Sequence, residues 1–277
     1  MTTVAALLSR AAHPDAARIL AHVLQRDRAW LVAHAESEPS EEEFRQFQAL
    51  CDRRRSGVPL AYLIGSAGFY GREFLVNENV LVPRPETEHL IDEALGFIHG
   101  RMKVLDVGTG SGAIACTIAA ESNAFVDATD ASRAAIELAT ENARRLGIGD
   151  RCKFYEGDLI EPIRDNRYDV IIANLPYIPT SDLPKPPDPV SFEPCLATDG
   201  GPDGLSLYRR LVPALPRIIN EGGMVLLEAA SPTIDKLAAI VQATLPYFTI
   251  SVEKDYAGLD RYVKAFGPRS EGPVHAG

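Results

Sequence analysis

Apolar residues along this chain follow two rhythms, a helical spacing near the start and short continuous runs further on. Residues 4–8 are almost wholly apolar, and across Pro14–Val32 the positions Ala17, Leu20, Ala21, Leu24, Ala29 and Leu31 recur at helical intervals. Ser40 ahead of Glu41, Glu42 and Glu43 is an N-cap with acids in the first turn. The helix it opens carries Phe44, Phe47, Leu50 and Cys51 and closes on Arg53, Arg54 and Arg55, before Gly57-Val58-Pro59 ends it. From Leu60 to Pro85 the pattern turns to aromatic and β-branched residues punctuated by glycine, which predicts a β-hairpin linking two domains. A helix starts near Pro85 and runs through Leu90, Ile91, Ala94, Leu95 and Ile98.

Strands and helices then alternate. Lys103–Val107 reads as a buried strand and Ala113–Ala120 as its helix; Ala124–Ala128 is a strand running out at Asp130, followed by a helix over Ser132–Leu146. Arg151–Tyr155, Val170–Ala173 and Met224–Leu227 are further strands, Leu205–Ile219 and Thr233–Thr244 helices, and Phe248–Val252 with Arg261–Phe266 a terminal antiparallel pair. The order predicts an α/β fold with a mostly parallel sheet. The expected organisation is a helical domain over 1–57, a hairpin linker over 58–85, the α/β domain over 86–266 and a flexible tail over 267–277. Pro179–Pro202 is too long for a plain connection and is expected to form a lid over a substrate.

At 277 residues, 46% hydrophobic and 24% charged, the chain suits one large domain plus a small one. A formal charge of −10 argues against general nucleic-acid binding, Arg53-Arg54-Arg55 notwithstanding. Cys51, Cys116, Cys152 and Cys195 lie far apart and form no metal-binding spacing, so no metal is expected. Trp30 reads as a core or interface anchor. With no basic cluster ahead of an apolar run and no apolar stretch near 18 residues, the expected location is the cytoplasm, away from membranes.

Candidate chemistry gathers at the strand ends. Gly108-Thr109-Gly110-Ser111-Gly112 lies between a strand and a helix, where glycines let a ligand approach the backbone, and Asp130 ends the next strand, where a ribose hydroxyl pair would bind. Asp158 stands at the end of the third strand, a place suited to adenine contact. The spacing Gly108-x-Gly110-x-x-Ala113 fits both NAD and S-adenosylmethionine. Two features favour the latter: there is one nucleotide-binding half, and the next strand delivers Asn174-Leu175-Pro176-Tyr177. Asn174 offers an amide oxygen, Pro176 forces Leu175 into an extended form that leaves its carbonyl for a crevice, and the Tyr177 ring can cover a planar group. Two acceptors so placed suit an NH2 group.

With these residues in hand, the chain resembles the bacterial peptide chain release factor glutamine methyltransferases, the HemK/PrmC family. The likeness is carried by Pro59-Leu60-Ala61-Tyr62, Phe69-Tyr70-Gly71, the run Pro83 to Glu88, Asp106 to Gly112, Phe192-Glu193-Pro194 and Ala257 to Arg261. It implies a class I S-adenosylmethionine-dependent fold of seven strands, mostly parallel, behind a helical domain that docks a protein substrate. The implied cofactor site is Asp106, Gly108, Thr109, Gly110, Ser111, Gly112, Asp130, Ala131, Asp158, Leu159 and Asn174, with S-adenosylhomocysteine as product. Asn174, Leu175, Pro176 and Tyr177 are the implied catalytic residues, and Arg84, Pro85, Glu86, Thr87, Phe192 and Glu193 the implied substrate contacts. Taken alone, Arg84 and Glu86 read as solvated residues at a helix start. The implied acceptor is the side-chain amide (N5) of the glutamine in the Gly-Gly-Gln motif of release factors. Two departures stand out. The family reads Asn-Pro-Pro-Tyr where this chain has Leu175, which alters the surface facing the substrate and leaves a small amine or amino-acid metabolite, or an adenine base, as the alternative acceptor. Glu228-Ala229-Ala230 replaces the usual Glu-Ile-Gly.

Overall fold

The computed structural model describes residues 3–11 and 13–268, so residues 269–277 of the expected tail lie outside the described residues. The chain divides into two units, Met1–Ser66 with Pro184–Phe192, and Ala67–Leu183 with Glu193–Gly277.

The first unit is helical: α1 (Val4–Ala11), α2 (Ala16–Val23), α3 (Arg28–Ala33), α4 (Glu41–Arg55) and α5 (Leu60–Ile64). Ile19, Leu20, Leu31, Phe47 and Leu63 share its core. The Ser40 cap forms as expected, with Glu43 N–H donating to Ser40 Oγ at 3.2 Å and Ser40 N–H to Glu43 Oε2 at 2.7 Å. Helical spacing across Pro14–Val32 is broken in two, because Gln25 adopts φ 52° and Asp27 caps a new helix by accepting from Trp30 N–H. Trp30 is only partly buried and stacks on His34 at 4.2 Å. The expected hairpin over Leu60–Pro85 is also shorter than its pattern. Leu60–Ile64 is helical, and β1 (Ser66–Phe69) and β2 (Arg72–Leu75) meet at Tyr70-Gly71, where both residues have positive φ as a tight hairpin turn requires.

In the second unit β3 (Lys103–Val107), β4 (Phe125–Asp130), β5 (Cys152–Glu156), β6 (Tyr168–Ala173), β7 (Ile219–Glu228), β8 (Thr249–Lys254) and β9 (Asp260–Phe266) form one sheet. Its order is β5-β4-β3-β6-β7-β9-β8, with β9 antiparallel to both neighbours. Its helices are α6 (Glu88–Phe97), α7 (Ala113–Glu121), α8 (Arg133–Arg145), α9 (Cys195–Thr198), α10 (Ser206–Leu211), α11 (Leu215–Ile218) and α12 (Ile234–Thr244). The central strands β3, β6 and β7 are buried on both faces because both are covered. Val104, Val126, Val170, Ile172 and Leu226 enter one core, and Leu105, Val107, Ile171, Val225 and Leu227 the other. Register aligns the carboxyl ends: Val107 pairs with Thr129 and Ala173, and Ala173 with Leu227. Gly108, Asp130, Asn174 and Glu228 therefore stand in a row along one sheet edge, on either side of the point where strand order reverses.

Two stretches of this unit differ from the sequence pattern. The helix expected over Leu205–Ile219 is interrupted at Pro213 and Pro216, and Ile219 already belongs to β7. The stretch expected as a lid is filled by short turns at Thr180–Asp182 and Pro189–Phe192 and by α9, and its middle, Pro184–Phe192, belongs to the helical unit. Just beyond its end the chain is pinned beside Tyr177. A Cβ on Gly204, at φ 77°, would stand 2.3 Å from the Tyr177 carbonyl oxygen, so only glycine permits that approach. No helix among the described residues is long and apolar enough to cross a membrane.

One side chain ties the hairpin to the glycine turn. Asn142 on α8 accepts from Leu75 N–H at 2.8 Å and donates to the carbonyls of Leu75 at 3.0 Å and Ser111 at 2.8 Å. Asn142→Ala orphans three backbone groups at a buried point and should lower unfolding stability by about 2–4 kcal/mol, read from urea denaturation.

Candidate active site

The sheet edge opens into a cavity of ≈ 310 Å³ within the second unit. Gly108 enters its turn at φ 77°, and a Cβ there would lie 2.8 Å from Leu175 Cδ2. The N–H groups of Gly108 and Thr109 both donate to the Thr129 carbonyl at 2.9 Å, which folds the turn back over β4. Asp130 then caps it: one carboxylate oxygen accepts from Gly110 N–H at 2.9 Å and the other from Ser132 N–H at 2.8 Å. Each oxygen keeps a lone pair for a further donor, and burial holds the carboxyl above its ordinary range.

Asp106 lies below the turn with no exposure. Its Oδ2 accepts from Thr109 Oγ1 at 2.6 Å and from Ala115 N–H at 3.2 Å, while Oδ1 has no partner among the described residues. Burial pushes this carboxyl up to about 7. An orphaned acidic oxygen under a glycine turn, with an acceptor carboxylate at the next strand, fits a ligand carrying a cationic end and a vicinal diol.

The structure places Arg84, Thr87, Gly108–Ser111, Asp130, Ala131, Asp158, Leu159 and Asn174–Pro176 on the cavity wall. Asp106, Gly112, Pro85, Glu86, Tyr177, Phe192 and Glu193 are not on it. Phe192 falls in the helical unit, where a Cβ on Gly57 would stand 2.9 Å from its ring. Glu193 has a buried side chain that accepts from Arg84 and, at 3.2 Å, from Val82 N–H, so it holds the Arg84 segment in place. Asp158 forms an ion pair with Arg210, a cavity residue the sequence did not mark. Phe69, from the Phe69-Tyr70-Gly71 motif, also lines the cavity, as do Leu196 and Leu207, which carry no sequence signal.

Asn174 is held by a partner 87 residues away. Its Nδ2 donates to Thr87 Oγ1 at 3.0 Å, and the Thr87 hydroxyl donates to Glu228 Oε2 at 2.8 Å. Tyr177 reaches Glu228 Oε1 from the other side at a long 3.5 Å. Glu228 is 1% exposed, and burial pushes its carboxyl up to about 7; burial and the Glu228 charge push the Tyr177 phenol up to about 12. Leu175 is not an exposed rim residue. Its side chain is buried under Gly108, and its N–H, which proline would lack, donates to Tyr208 Oη at 3.2 Å. The Tyr208 hydroxyl in turn donates to the Glu228 carbonyl and lies 3.3 Å from that of Ala173, fastening β6 to β7 at their ends.

A seven-stranded sheet of this order, with a glycine turn, an acid at the end of the adjacent strand and a cavity over both, defines an S-adenosylmethionine-dependent methyltransferase. Residues 98–254 match a family described as "Methyltransferase domain" and residues 2–65 one described as "PrmC N-terminal domain". Release factor glutamine methyltransferase from Moorella thermoacetica is 40% identical over 239 residues, covering 85% of this chain and 84% of its own. The enzyme of that name from Bacillus cereus is 38% identical, covering 89% and 90%. A solved methyltransferase from Pyrococcus furiosus shares the fold at a TM-score of 0.54 and 19% identity, over 83% of this chain and all of that one. The chain belongs to the release factor glutamine methyltransferase family.

Two outcomes follow from the geometry. Asp130→Ala removes the free acceptors of the capping carboxylate and should weaken S-adenosylmethionine binding by about 2–3 kcal/mol in calorimetry while the protein stays folded. Tyr208→Phe strands the Leu175 N–H and should cost about 1–3 kcal/mol of stability on denaturation.

Proposed function

We propose that this chain transfers a methyl group from S-adenosylmethionine to the side-chain amide nitrogen of the glutamine in the Gly-Gly-Gln motif of peptide chain release factors. The observation that carries the reading is the state of Asn174. Its Nδ2 is committed to Thr87, which leaves Oδ1 as the amide atom offered to the cavity that Asn174 lines. Among the described residues neither that oxygen nor the Leu175 carbonyl receives a hydrogen bond, and family membership supplies a glutamine amide as the matching group.

The turn from Gly108 to Ser111, Asp130 and Asp158 would hold the cofactor, with Asp106 beneath the turn bracing it through Thr109 and Ala115, and the cofactor would supply an electrophilic methyl group on a sulfonium. An amide nitrogen is a poor nucleophile because its lone pair is delocalised. Asn174 Oδ1 and the Leu175 carbonyl accept its two N–H bonds, fix it in line for attack and favour the positive charge that develops on it, on the order of 3 kcal/mol per well-placed group. The proton leaves after transfer, when the alkylated nitrogen is strongly acidic, so no general base is required. Tyr177 stands behind the site against Glu228, and the N-terminal helical unit serves to grip the protein substrate.

The test is incubation of purified release factors with the enzyme and S-adenosylmethionine, followed by mass spectrometry of the Gly-Gly-Gln peptide. A gain of one methyl on that glutamine is expected. Methylation of a free amino acid or amine in its place overturns the reading. Asn174→Ala should lower kcat by roughly 100-fold or more, with cofactor affinity nearly unchanged. Equal losses in both would make Asn174 a cofactor residue instead.

A further inference from the structure

The two ends of an asparagine amide are alike in shape and opposite in polarity. Turned over, Asn174 would present an NH2 group to an incoming NH2 group, and the acceptor site would become a repulsive one. One contact distinguishes the orientations, the 3.0 Å bond from Nδ2 to Thr87 Oγ1. The Thr87 hydroxyl has a single proton. That proton is spent on Glu228 Oε2 at 2.8 Å, so towards Asn174 the hydroxyl can only accept. Thr87 and Glu228 are 4% and 1% exposed, which leaves no solvent to satisfy either group in another way.

We infer that Thr87 and Glu228 are positioning residues for methyl transfer: the ionised Glu228 carboxylate fixes the direction of the Thr87 proton, and Thr87 thereby holds Asn174 Oδ1 toward the acceptor nitrogen. The inference rests on the amide-acceptor reading given above. A protonated Glu228 reverses the relay, because its own proton donates to Thr87, the Thr87 proton turns to Asn174, and the amide flips to meet it. Several charged and titratable groups face Glu228. Arg261 on β9, itself paired with the buried Asp255 at 2.9 Å, favours the ionised form, whereas Glu86 disfavours it. Tyr177 reaches its carboxylate and Tyr208 its backbone carbonyl. Burial outweighs Arg261, and the carboxyl sits at about 7. The sign follows: below that pH Glu228 is protonated and the productive orientation is lost, and above it the orientation is held.

The experiment uses the full chain at saturating S-adenosylmethionine and release factor, with kcat followed from about pH 5.5 to about 8.5. The wild-type kcat should fall about tenfold per pH unit below the Glu228 titration. Glu228→Gln, whose amide oxygen can accept from Thr87 without titrating, should lose that acid limb. Thr87→Val, which keeps the shape and removes the hydroxyl, should lower kcat roughly 10- to 100-fold with cofactor affinity within about twofold, and Thr87→Ser should restore it. Calorimetric cofactor binding verifies that each variant is folded. A second readout needs no acceptor: the Asn174 side-chain NH2 resonances, identified by their loss in Asn174→Ala, should shift across the same pH range in the wild type and stay fixed in Glu228→Gln. Wild-type kcat in Thr87→Val, an unchanged acid limb in Glu228→Gln, or pH-invariant Asn174 resonances in the wild type overturns the relay. Absence of methyl gain by release factors at every pH counts against the acceptor instead, and the resonances still decide the relay.

Discussion

Parallel pairing sets Val107, Thr129, Ala173 and Leu227 side by side, and a slip of one residue in any of these strands would send each side chain into the opposite core, where the close-packed volumes no longer match. The two cores therefore enforce the alignment of whatever follows each strand. Gly108, Asp130, Asn174 and Glu228 come together without attracting one another, because hydrophobic burial several residues away fixes their heights. Polar groups at the strand ends are thus placed by apolar packing below them, with no need for strong bonds among themselves.

Much of the sheet was legible because its strands are short apolar runs bounded by turn formers, and the glycine turn and Asp130 were legible because their geometry permits few residue types. The Thr87–Glu228 bond was not, since nothing local joins a threonine in a helix-opening turn to an acid 141 residues later. Tyr208 and Arg210 carry no motif either; their roles arise only when α10 lies beside the ends of β6 and β7 and the turn after β5. Other misses had visible causes. Pro213 and Pro216 forbid the single helix that the apolar spacing of 205–219 suggested, and Asp27 announces the second cap within Pro14–Val32. The value of Leu175 was hidden in the opposite sense. Compared with proline it looks like a loss of stiffness, yet its N–H gives Tyr208 a donor, and the turn is restrained by a hydrogen bond where a ring would otherwise restrain it.

The acids of the site differ in how the fold treats them. Asp130 and Asp106 each accept two hydrogen bonds and still sit above the ordinary range, because burial costs the charged form more than those bonds return. Arg84 and Arg261, by contrast, have carboxylates of their own in Glu193 and Asp255, and these pairs stiffen the walls around Tyr177.

The separation between Thr87 and Glu228 also bears on how the protein is made. A growing chain has its glycine turn, β4 and Asp130 in hand when less than half of it has been synthesised, and Asn174 follows some forty residues later. The group that gives Thr87 its direction arrives only with the last residue of β7, a contact of high sequence separation that forms after the local ones. During that interval the nascent chain holds Gly108–Gly112, Asp130 and Asn174 without the carboxylate that orients Thr87, so the polarity of the Asn174 amide is among the last features of the site to be fixed.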